Sequence, residues 1–123
     1  MGHDERSRIP YVRTGPGAGP ALEWENAAVL MTLEASQGLI GPDVAGMSVQ
    51  ITDDEITIHV CLRAYTEAVV EDMDDLVFEL EALMAGVVIP LPQVTVVTYV
   101  GPLDTSWPGH GHRRIFTAHD GDS

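Results

Sequence analysis

Between Thr66 and Ala85 the chain reads TEAVVEDMDDLVFELEALMA, with apolar residues at Val69, Met73, Leu76, Val77, Leu80, Leu83 and Met84. Steps of three and four place them on one face of an α-helix. Glu67, Glu71, Asp72, Asp74, Asp75, Glu79 and Glu81 fill most of the remaining positions. Thr66 is suited to cap the helix, and acids in its first turns suit the helix dipole. Gly86 is a natural stop. One face of this helix asks for a sheet to cover it, and the other is a wall of carboxylates.

A second helical pattern runs from Leu22 to Gln37, with Trp24, Ala28, Met31 and Ala35 on one face, Ala27 beside them, and Gly38 as terminator. Trp24 reads as a lid at the edge of the core. Gly41-Pro42-Asp43 is turn chemistry. Two alternating runs follow, Met47 to Thr52 and Glu55 to Leu62. Asp53-Asp54 fits a tight hairpin turn between them, without the usual glycine, so that a bulge could substitute. In this register the aliphatic side faces the helices, and Thr57, His59 and Cys61 line the opposite face. Ile89-Pro90-Leu91-Pro92 excludes a central strand. Gln93 to Val100, QVTVVTYV, is the most β-prone run. Its two apolar faces suit a central strand, or an edge covered by a partner. A long loop from Gly101 to Gly111 contains Trp107 and Pro108, and His112 to Ala118 makes a short last strand.

These elements predict an α+β fold: two helices packed on one face of a four-stranded, mostly antiparallel sheet, in the order αββαββ. Residues 1–20 read as a flexible tail. Its TGPGAGP stretch is a Pro/Gly linker, and Ile9, Tyr11 and Val12 leave room for no more than a short edge strand. Residues 21–118 form a single domain, and 119–123 are a C-terminal tail. A length of 123 residues suits one domain that needs neither disulfide nor metal to hold its core.

Charge narrows the function. Nineteen acids stand against six basic residues, all arginine, for a formal charge of −13. That balance disfavours nucleic acid and anionic membrane as partners and favours a basic protein. Cys61 is the single cysteine, so one chain has no disulfide framework. The sequence shows neither a signal peptide nor a long apolar run, which makes the cytoplasm the default location.

Little in the sequence suggests catalysis. His110 and His112, with His119 and Asp120 nearby, are the candidate metal ligands, but a zinc site needs three or four defined ligands. Acids on the polar side of a helix are solvated and lack the dry pocket that makes a general acid. His59 and Cys61 share a strand face about 7 Å apart, with no third group to orient the histidine. The expectation is a protein that is not an enzyme and needs no cofactor.

The stretch GLIGPDVAGMSV resembles a motif of small αββαββ immunity proteins of contact-dependent growth inhibition and other polymorphic toxin systems. In that family a helix ends in Gly, followed by Ile-x-Pro-(Asn/Asp)-aliphatic and a strand opening on an aliphatic-Ser-aliphatic step. Gly38, Ile40, Pro42, Asp43, Val44, Met47, Ser48 and Val49 hold those places here. ITIHVCL resembles the family's second strand, the acidic stretch its Ser/Thr-initiated helix, and RRIFTA its closing strand. The similarity spans roughly residues 22–118. Asp53-Asp54-Glu55 replaces a glycine-containing turn, and VVIPLP and the GHGH loop lie outside the pattern. The resemblance implies a bacterial protein that neutralises a cognate toxin domain by direct binding. Charge suggests that the toxin is a basic nuclease, met by Asp53, Asp54, Glu55, Glu71, Asp72, Asp75 and Glu79. The alternative is a homo-oligomeric or adaptor protein in which Val94 to Val100 pairs across a two-fold axis. A metal-dependent enzyme using His110, His112 and His119 is the third reading.

Overall fold

The computed structural model describes residues 11–12, 22–52 and 54–118. In chain order the elements are β1 (Tyr11–Val12), α1 (Leu22–Ser36), β2 (Val44–Ile51), β3 (Glu55–Leu62), α2 (Glu67–Met84), β4 (Val88–Ile89), β5 (Gln93–Val100) and β6 (Arg113–Thr117). The fold is α+β, with two helices over a four-stranded open sheet in the order β5-β3-β2-β6. Within the stretch read as a tail, β1 pairs in parallel with β4 in a separate two-residue ladder.

Both helices begin and end for local reasons. The Thr66 hydroxyl accepts from the Val69 amide at 3.2 Å, so it caps α2 as its sequence position suggests. Gly38 and Gly86 follow the two helices with φ of +83° and +82°, a region open to glycine at little cost. Along α2, Val69, Met73, Leu76, Leu80 and Met84 are buried. Burying side chains of this size contributes about 1.5–3 kcal/mol each. They meet Met47 and Val49 of β2 and Ile56, Ile58, Val60 and Leu62 of β3 in one core. Trp24 belongs to that core and is no lid: it is 3% exposed, and its Nε1 donates to the Thr52 carbonyl at 3.1 Å.

The sheet is mixed. β2 pairs antiparallel with β3 and β6, whereas β3 and β5 are parallel. The helix between β3 and β5 explains this. A chain that leaves β3 and returns through α2 starts its next strand from the end where β3 began. β5 is therefore an edge strand and not a central one. Its pairing runs without a break from Glu55↔Gln93 to Leu62↔Val100. The bulge expected as a substitute in the hairpin turn falls on Asp53, which lies outside the described residues; β2 itself is irregular at Val44/Gly46 against β3 and at Met47/Ser48 against β6. The turn itself closes through the Thr52 amide on the Glu55 carbonyl at 2.9 Å. No helix among the described residues is long and apolar enough to cross a membrane.

Candidate functional site

Two surfaces merit attention, one on each side of the sheet. On the helix side, α1 and α2 leave an open groove of about 500 Å³ between them. Glu34, Ala35, Gln37 and Leu39 line it from the α1 side, and Asp75, Phe78 and Glu79 from α2. Phe78 is 69% exposed, half a turn out of phase with the buried stripe of its helix. Leu30, one turn before Glu34, is 65% exposed. An exposed aromatic ring thus shares the groove with three carboxylates.

The acids named from the sequence are only partly gathered here. Asp75 and Glu79 line the groove. Glu71, exposed, and Asp72, half-buried, lie one turn earlier along α2, and the Asp72 carboxylate approaches Gly41. Asp54 is exposed in the β2–β3 turn and Glu55 half-buried at the start of β3, at the end of the sheet away from the beginning of α2. Asp53 lies outside the described residues. The groove thus brings Asp75 and Glu79 together with Glu34 and Phe78. Glu34 and Phe78 were not singled out from the sequence. For Phe78 a signal existed, an aromatic residue on the charged side of the helical wheel. For Glu34 there was none, because its relevance depends on how α1 and α2 pair.

On the other side of the sheet, the loop after β5 folds back as a cover. Trp107 is 1% exposed and packs with Ala45 and Cys61, with Tyr99 and Leu103 against them. The Arg114 guanidinium lies 5.1 Å from the centre of the indole ring. Ser48 donates its hydroxyl hydrogen to the Gly109 carbonyl at 2.7 Å. The His112 ring stacks on His59 with centroids 5.1 Å apart and planes within 7°. His59 Nε2 lies 3.0 Å from Gln50 Oε1, which suits a hydrogen on Nε2, and its buried Nδ1 has no partner among the described residues. Burial holds the His59 pKa below its ordinary value, and the neighbouring His112 adds to the effect.

Cys61 lies within the same cover. Its thiol points to the carbonyls of Gly101 and Pro102 at 3.4 and 3.8 Å. Burial, and then Asp104, push its pKa up, with Arg114 and Arg63 opposing, so the thiol form is favoured. Thr57, His59 and Cys61 do share the face away from the helices, and the thiol and imidazole engage different partners. Among the described residues no three His, Cys, Asp or Glu side chains are grouped to hold a metal ion. His112 is engaged with His59, His110 is exposed, and His119 lies outside the described residues.

No protein-family model matches the chain, and no curated protein matches it at a significant level.

Proposed function

We propose that this chain is an immunity protein that neutralises a cognate toxin domain, a basic nuclease, by binding it through the groove between α1 and α2. The carrying observation is the setting of Phe78, an exposed ring in a groove that Glu34, Asp75 and Glu79 also line. Aromatic anchors supply much of the energy of protein interfaces, and clustered carboxylates choose a basic partner and speed its approach. A nuclease must hold a phosphate backbone, so its active cleft is basic. An acidic groove that carries an exposed aromatic ring is complementary to such a cleft and would compete with its substrate. The resemblance of residues 22–118 to toxin-immunity proteins supports the same reading.

The charge pattern of α2 adds support. Glu67, Glu71, Asp75 and Glu79 form a ladder of like charges four residues apart, and no basic residue interrupts the helix. Such pairs weaken a helix, and acids in its second half oppose its dipole. A surface arranged against its own stability is accounted for by a partner of opposite charge.

The test uses the C-terminal domain encoded by the gene immediately upstream, expected to be the toxin. That domain is expressed in cells with and without the full chain, and the two are then purified together. Growth rescue with a stoichiometric complex is the expected result. Rescue without a complex, or toxicity that the chain does not relieve, would contradict the proposal.

A further inference from the structure

The two edges of the sheet are built differently. β6 carries Arg113 and Arg114 and pairs irregularly, which are features that discourage strand addition. β5 has eight residues, none charged, and an unbroken register along β3. The Gln93 amide donates to Asp54 at 2.9 Å and the Gly101 amide to Leu62 at 3.3 Å. In a parallel ladder alternate residues turn both backbone groups to the same neighbour. Odd-numbered residues of β5 therefore bond β3, and Val94, Val96, Thr98 and Val100 turn their N–H and C=O groups outward. Among the described residues no strand pairs with that edge.

We infer that β5 pairs antiparallel with β5 of a second copy of this chain, about a two-fold axis through Val97 and perpendicular to the sheet. Such an axis keeps side-chain faces matched, so it can pass only through a residue and not between two. Centred on Val97, it sets Val96 opposite Thr98 and Val94 opposite Val100. Every outward residue then exchanges both hydrogen bonds with a counterpart. Pro92 and Pro102 lie at equal distances from Val97 and face each other across the axis. Neither has an N–H, so the ladder ends where the strand does. Moving the axis to Val96 or Thr98 would set Val100 against Pro92, or Val94 against Pro102, and leave groups unpaired.

Side chains support the same register. Val97 is 37% exposed on the face away from the helices and would meet its own copy on the axis, flanked by Thr95–Tyr99 pairs. Val100, 54% exposed, faces the helix layer and would be covered by Val94. A crossover helix lies over the strands it joins, and strands are spaced ~4.8 Å apart, so the two α2 helices would lie about 10 Å apart, a packing distance. Val70 and Val77 sit on the flank of α2 turned away from α1, where that contact would form. Asp74 and Glu81 share the flank, so salt should tighten the pairing by screening them.

The full chain is examined by light scattering with size-exclusion chromatography at low and high salt. A mass of twice 13.3 kDa, more populated at high salt, is expected. Val97→Lys places two like charges on the axis and should weaken association about tenfold or more, while circular dichroism shows the fold retained. Register is read by oxidation of single-cysteine additions, since the native Cys61 is buried. Val97→Cys faces itself at the spacing a disulfide requires and should cross-link, whereas Thr98→Cys faces Val96 and should not. A monomer at every salt concentration, or equal cross-linking at both positions, would overturn the inference. Neither result bears on toxin binding, which should weaken with salt where self-pairing strengthens.

Discussion

Gly109 lies where the cover meets the sheet. A Cβ built on it would come within 2.5 Å of His59 Cβ and Ser48 Oγ and 2.7 Å of Trp107 Cζ2. The His59 Cβ is fixed to a central strand and cannot yield, so Gly109→Ala must displace the loop. A loss of about 1–3 kcal/mol is expected, read as a lower denaturation midpoint. His59 gives a second residue-level prediction. Its folded pKa is depressed, so between that value and the ordinary one, about 6.5, the unfolded chain binds more protons than the folded one. Its contribution to stability is complete above pH ~6.5 and is lost as pH falls towards the folded pKa. Thermal midpoints of the wild type and His59→Gln should therefore converge on acidification from neutral pH. Parallel pH dependences would show that His59 titrates normally in the fold. The sequence indicated that His59 and Cys61 share a strand face, because alternation fixes that. It did not indicate the stacking on His112 or the burial of Trp107, because both depend on the path of a loop without periodicity.

At the scale of elements, α2 has two unlike faces, an apolar one buried on the sheet and an acidic one turned outward. Its period was plain in the sequence because Val69, Met73, Leu76, Leu80 and Met84 recur at helical spacing, and the cap at Thr66 followed from residue type. The groove was less legible. It needs α1 beside α2, and the small residues Ala27 and Ala28 within α1 make its inner face hard to distinguish by pattern. β5 shows a different limit. Apolar residues on both faces usually mark a strand flanked on each side, yet here the same pattern belongs to an edge. On the ladder of like charges in α2, Asp75→Asn removes repulsion with both Glu71 and Glu79. The free protein should become more stable by a few tenths of a kcal/mol, while binding of the toxin domain weakens. A variant that lost stability as well as affinity would mean that Asp75 serves the fold rather than an interface.

Over the whole molecule, charge and apolar surface are sorted by place. Carboxylates dominate the outer side of the helix layer, whereas the described arginines are Arg63 and the β6 pair Arg113 and Arg114. Arg113 reaches Glu25 at 3.5 Å, Arg114 covers Trp107, and the Arg63 guanidinium donates to the Pro42 carbonyl at 2.6 Å. The uncharged edge of β5 lies apart from the groove. In a two-fold assembly both helix layers would face one side of a continuous sheet, with each groove on the flank of its α2 away from the seam. One copy could then bind a toxin domain without displacing the other. The most direct test of the central claim is a calorimetric titration of the C-terminal domain encoded immediately upstream, once its toxicity is shown, with the wild type and with Asp75→Arg/Glu79→Arg, at low and high salt. Tight, one-to-one binding that weakens with salt and falls at least about a hundredfold on charge reversal, some 2.7 kcal/mol or more, is expected. Affinity unchanged by both salt and charge reversal would contradict an acidic groove as the toxin-binding surface.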